Sequence, residues 1–153
     1  MFTGDESGNW LFRALHKAGF ANQSDSVDRT DGLRLSDCYI TATVRCAPPR
    51  NKPLPEEMSE CRPYLLHEIG LLKNVQVVIG LGKVGFEAAL QAYRALGMIT
   101  FKARPKFAHA ALYTLDSLTF IASFHPSQQN TFTGKLTQPM FDRVFAAAKA
   151  RLR

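Results

Sequence analysis

Reactive side chains are concentrated in four short stretches of this chain. Cys46 and Cys61 stand fifteen residues apart. Two thiolates at such a spacing can hold zinc or an iron–sulfur cluster, yet either site asks for four ligands and no paired C-x-x-C completes the set. Free buried thiols are the reading the residues favour on their own, and the spacing alone proves nothing. Cys38 shares strand parity with Cys46 and is expected to face the core. The second stretch is His125-Pro126-Ser127, which follows the apolar run Leu118 to Phe124. A histidine at the carboxyl end of a strand can donate to an anionic leaving group or a phosphate. Gln128-Gln129-Asn130 behind it suits contacts to a nucleic-acid backbone. A satisfied loop histidine before a proline turn is the alternative. His16, His67 and His109 read as structural or solvent-facing.

The third stretch, Gly80-Leu81-Gly82-Lys83-Val84-Gly85, spells G-x-G-x-x-G between a strand and a helix. A dinucleotide site of that kind expects an acid about 20 residues on. Lys102 and Arg104 stand there instead, so a tight packing turn is the better reading. The fourth is Asp5, which can cap a helix or serve as a catalytic carboxylate; capping is the reading its position favours.

These residues need elements to hold them. Trp10, Leu11, Ala14, Leu15 and Ala18 recur at helical spacing, predicting a helix from Asn9 to Gly19. Residues 21–37 are polar and acidic and form a loop. Cys38 to Val44 has the aromatic and β-branched content of a buried strand. Four prolines between Ala47 and Pro55 enforce a stiff extended segment of the kind that walls a site. Pro55-Glu56-Glu57 opens a helix that runs to about Leu72, with proline in its first turn and acids at the positive dipole end. Gln76 to Gly80 is a strand, Lys83 to Leu96 a helix, and Gln138 to Arg151 a last helix. Ile99 to Phe101 and Ala111 to Thr114 are weaker strand candidates. Strands alternating with helices predict an α/β domain with a mostly parallel sheet, whose sites gather at the carboxyl ends of the strands.

Length and charge narrow the class. A chain of 153 residues suits one domain, residues 1–153. Nineteen Lys+Arg against thirteen Asp+Glu give a net charge of +6. The excess is uneven: residues 1–40 carry four basic and six acidic groups, residues 81–153 ten basic and three acidic. A basic half on a small domain is the footprint of a polyanion binder. Three cysteines fit a reducing compartment, and no signal-peptide pattern or membrane-length apolar run is evident, so a cytoplasmic protein is expected.

Three blocks together resemble the uracil-DNA glycosylase superfamily, specifically its family 5 (type B) enzymes. They are Met1 to Gly8 (MFTGDESG), Tyr39 to Pro55 (YITATVRCAPPRNKPLP) with Cys61, and Phe124 to Thr133 (FHPSQQNTFT). The resemblance runs over essentially the whole chain, and the agreement of all three blocks in order is highly specific. It implies a three-layer α/β/α sandwich and an enzyme that flips a damaged base out of double-stranded DNA and hydrolyses its glycosidic bond. By resemblance, Phe2 is the surface on which the flipped base stacks, and Asp5 is an acid important for hydrolysis. Asn51 contacts the base. His125 donates toward a base carbonyl as negative charge develops. Ser127, Gln128, Gln129 and Asn130 line a groove-probing loop, and the basic C-terminal half holds phosphates. Cys46 and Cys61 match the last two of four cysteines that hold a 4Fe–4S cluster. The glycine-rich turn matches a packing turn. Ala42 stands where family 4 relatives carry a uracil-selecting asparagine, which implies tolerance of other deaminated bases such as hypoxanthine.

The chain also departs from the family. Nothing in it matches the two earlier cluster cysteines, or the Gly-Leu-Ala-Pro-Ala turn that positions the attacking water. The expectation is a domain lacking its N-terminal strand, acting as a monomer, with only two of four cluster ligands. A catalytically inactive DNA-binding remnant is the alternative reading, and an NADP-dependent oxidoreductase built on Gly80 to Gly85 is a third.

Overall fold

The structure is a computed structural model, and it describes residues 4–46 and 52–153. In chain order the elements are α1 (Glu6–Lys17), α2 (Pro55–Leu71), β1 (Val77–Leu81), α3 (Gly82–Ala95), β2 (Leu112–Leu115), β3 (Leu118–Ser123), α4 (Gln128–Phe132) and α5 (Gln138–Lys149). Among the described residues the sheet has three strands in the order β1-β3-β2. β1 runs parallel to β3, with Ile79 opposite Ile121, and β2 runs antiparallel to it, with Tyr113 opposite Phe120.

Three layers follow from the period-2 alternation of the strands. Val77, Ile79, Leu81 and Ile121 pack with Leu11, Phe12 and Leu15 of α1 and with Phe141, Val144 and Phe145 of α5. Val78, Phe120 and Ala122, the alternate residues, pack with Leu65 and Ile69 of α2 and Phe86 and Leu90 of α3. Helix pairs thus cover both faces, as the α/β sandwich reading requires. Phe120 is fully buried and meets Tyr93 edge-on at 5.4 Å. On the other face Lys17 of α1 pairs with Asp142 of α5 at 2.7 Å.

The sheet is smaller and more mixed than a mostly parallel one. Asp116-Ser117 is a two-residue connection, with Asp116 at φ 53, and such a turn can only return the chain antiparallel. Two expected strands are not strands. The segment Cys38 to Val44 has no ladder partner among the described residues; its side chains tie it to α2 instead, as described below. Ile99 to Phe101 is also irregular, because the Thr100 amide is spent on the Asp116 carboxylate at 2.7 Å. Its side chains still serve the core, Ile99 being 1% exposed. Among the described residues, no helix is long and apolar enough to cross a membrane.

Candidate active site

The carboxyl end of β3 leads into a turn held by several hydrogen bonds. After Ser123 the chain passes through half-buried Phe124 and His125 and buried Pro126, and Ser127 then caps α4. The Asn130 side-chain amide donates back to the His125 carbonyl at 2.9 Å, and the Leu136 amide donates to the Asn130 carbonyl at 2.9 Å. Leu136 itself is buried in the core, so α4 is braced at both ends. It presents Gln128 and Gln129 to solvent, and Phe132, which is 76% exposed. Of the four loop residues expected here, Asn130 and Ser127 thus hold the turn, and the two glutamines face outward. Phe132 was missed, although an aromatic inside the polar run Gln128 to Lys135 is a signal in itself.

His125 sits against two other parts of the sequence. Gly82 opens α3 at φ 77, and a β-carbon there would stand 3.3 Å from the His125 Cβ. Asp5 is near enough for its charge to act on the imidazole. Burial holds the His125 pKa below the ordinary histidine value, and Asp5 partly opposes that shift. At neutral pH the ring is therefore an uncharged donor and acceptor. Asp5 also does what its position favoured: it caps α1, its Oδ1 accepting from the Gly8 amide at 2.6 Å.

His109 is depressed as well, chiefly by burial. A histidine whose folded pKa lies below its unfolded value leaves the unfolded state to take up protons first. Stability from these two residues is therefore complete above about pH 6.5 and is lost as pH falls through the folded pKa values. Urea midpoints measured from about pH 8 down to about pH 5 should fall below about pH 6.5.

The two thiols expected as a pair lie close enough for Cys61 to act on the ionisation of Cys46, and the Arg45 amide donates to Cys61 Sγ at 3.5 Å. Desolvation, with the charges of Glu57 and Cys61, pushes the Cys46 thiol up. Glu68 of α2 sets this approach: it accepts from Tyr39 Oη at 3.2 Å, from Thr41 Oγ1, and from Arg45 at 2.5 Å. Two adjacent sulfurs fit as half of a cluster's ligands. Among the described residues no group of three His, Cys, Asp or Glu side chains could hold a metal. Cys38 packs against the α1/α5 core, as expected, but strand parity is not the reason, since the segment is no strand and Cys46 is exposed. Phe2 and Asn51 lie outside the described residues.

The glycine-rich turn is a close packing contact: a β-carbon on Gly80 would lie 2.4 Å from the Phe86 Cα. Beside it, Lys83, Glu87, Arg104, Pro105, Lys106 and Phe107 line an open cleft of about 410 Å³. Three cations face one carboxylate, which stands 3.7 Å from Arg104. Phe107 lies 6.2 Å from Phe124, so the cleft adjoins the His125 turn.

A half-buried, neutral histidine thus stands on a braced strand end, next to a basic cleft. The profile described as the uracil DNA glycosylase superfamily matches residues 1–149, and the chain belongs to that superfamily. Within it, the chain is similar to proteins named type-5 uracil-DNA glycosylase. The one from Mycobacterium bovis is 43% identical over 151 residues, covering 97% of this chain and 55% of the relative. That from Thermus thermophilus is 44% identical over 149 residues, covering 97% and 65%. That from Pyrobaculum aerophilum is 37% identical over 150 residues, covering 98% and 63%. The chain thus spans 55% to 65% of the length of these three relatives.

Proposed function

We propose that this chain carries the base-expelling side of a glycosylase that removes uracil from double-stranded DNA and leaves an abasic site. The observation that supports this most is the neutral, half-buried His125 on its braced turn. Its N–H donates to a carbonyl of the flipped base, where negative charge gathers as the glycosidic bond breaks. Water attacks the sugar carbon, the bonding electrons leave with the base, and the water's proton passes to Asp5. Phe2 stacks on the base and Asn51 contacts it. Gln128, Gln129 and Phe132 enter the groove on α4, Phe132 as an apolar wedge. With alanine at position 42 no amide selects uracil there, so hypoxanthine is accepted as well.

Cys46 and Cys61 would supply two thiolates to a 4Fe–4S cluster. Such a cluster, when bound, contributes a cross-link between the segment before Cys46 and α2. The enzyme works as a monomer in the cytoplasm, consistent with three free thiols and a DNA substrate.

The test is incubation with a duplex carrying one uracil or one hypoxanthine, followed by alkali. Strand cleavage at the lesion is expected. Salt-sensitive binding without any abasic product would favour the inactive DNA-binding remnant, which the basic cleft also suits. That cleft makes its own prediction. Lys83→Ala or Lys106→Ala should weaken binding to any duplex and lower the slope of log K against log salt by about one per lost phosphate contact. An unchanged slope means the cleft touches no DNA.

A further inference from the structure

The antiparallel pairing of β2 and β3 breaks in a bulge just past the strands. Ala110, in place of Ala111, donates its amide to the Ala122 carbonyl at 2.8 Å, while Ala122 donates to the Ala111 carbonyl at 2.9 Å. Were the register of the strands kept, the next rung would carry the Phe124 amide to the main-chain carbonyl of His109. That rung is not formed, because Ala110, at φ 61, turns the chain out of the extended conformation. The Phe124 amide donates instead to Nδ1 of the His109 side chain at 3.1 Å. The two rings stack, with centroids 4.9 Å apart and planes at 23°. Since Nδ1 is accepting, the neutral ring carries its proton on Nε2. The Met140 main chain, at the start of α5, favours the charged ring and partly opposes the effect of burial.

We infer that His109 is a positioning residue for His125: its side chain replaces the missing ladder acceptor, fixes the Phe124 backbone and so aims the residue that follows. The inference rests on the proposed role of His125. His109 reads as a merely structural histidine in the sequence, and no other described side chain holds that amide. Imidazole suits the task because its neutral form accepts at Nδ1 while the ring lies flat on Phe124. The charged form would put a proton on Nδ1, facing the Phe124 N–H, and that bond would be lost. Burial disfavours this form, as does Arg143 of α5, and Lys135 adds another cation, 4.7 Å from the Phe124 ring centroid.

The experiment uses the whole chain and three measurements: imidazole nitrogen shifts and their titration by NMR, thermal unfolding, and single-turnover uracil excision at saturating duplex. In the unmodified protein, His109 should show an unprotonated Nδ1 and a protonated Nε2; the reverse tautomer would overturn the proposal. His109→Leu keeps bulk but not the bond to the Phe124 amide. It should shift the His125 ring resonances and their titration, and slow excision by about 10-fold or more, with duplex affinity unchanged. His109→Gln, which can accept from the same amide, should restore most of the rate. If His109→Leu changes only the melting temperature and leaves the His125 resonances in place, the residue is structural and the proposal fails. If His109→Leu does not fold, His109→Gln decides: perturbed His125 resonances support the proposal only if the rate falls in step with them. Should the unmodified chain excise nothing, the proposed function fails, while the resonances still decide whether His109 positions His125.

Discussion

His125→Ala is expected to slow uracil excision by about 10²- to 10³-fold at saturating duplex, the loss that follows removal of one donor to a developing anion. Three observations set that expectation. The ring is uncharged at neutral pH, so its contribution is a directed N–H and does not depend on a cation that salt would screen. The backbone carrying it is held by Asn130, so the donor is in place before substrate arrives. Gly82 leaves room for the ring where any side chain would crowd it. Because the donor acts on charge that appears only as the bond breaks, duplex affinity should change little, and the loss should fall on the catalytic rate. His125→Gln retains a donor and should recover part of the rate. A His125→Ala protein that excises uracil at the parent rate would remove His125 from the chemistry and leave the basic cleft as the remaining functional feature.

The parts of the fold legible in the sequence are those with a long periodic signal. Leu11, Ala14 and Leu15 mark α1, and the Leu118 to Phe124 run marks β3; both stand within a few residues of where they were expected. The Cys38 to Val44 segment has equally strong β-branched character, but β-propensity describes a fit to a pleated half-buried surface, and a strand also needs a neighbour. Here Glu68 captures Tyr39, Thr41 and Arg45 by their side chains. The five residues of α4 are too few for any helical period, although Ser127 with Asn130 three positions later is a capping signal. The hairpin was not read: Ala111 to Thr114 stood only as a weaker strand candidate in a mostly parallel sheet, although the short polar gap Asp116-Ser117 before the apolar Leu118 run is a turn signal.

At the site, His125, Asp5 and the cysteine pair stand out by residue type and position. His109 and Gly82 do not, since their roles are contacts across chain separations that no local pattern encodes; His109 lies fifteen residues from the amide it holds.

Gly80→Ala is expected to be the most damaging single-methyl change in the chain. The added β-carbon would lie 2.4 Å from the Phe86 Cα, 2.7 Å from its Cβ and 2.8 Å from its amide nitrogen. All three belong to the start of α3 rather than to the tip of a movable side chain, so relief requires β1 and α3 to part. Phe86 is fully buried, with its ring 6.0 Å from both Phe107 and Tyr113, and that packing would open with the helix. Overpacking of this kind destabilises by about 1–3 kcal/mol or more. In a domain of this size each kcal/mol lowers the melting temperature by about 2–4 °C. Moving the α3 start also moves Gly82 against His125 and Lys83 along the cleft, so excision should fall along with stability. Gly85→Ala is the control within the same motif. A β-carbon there meets nothing within 4 Å, and the position lies inside α3, where alanine is favoured over glycine by about 1 kcal/mol. The two glycines should therefore respond with opposite signs. If Gly80→Ala melts with the parent protein, the close β1–α3 approach is wrong. If Gly85→Ala abolishes a saturable nucleotide-binding signal, the phosphate-cradling reading of the motif returns.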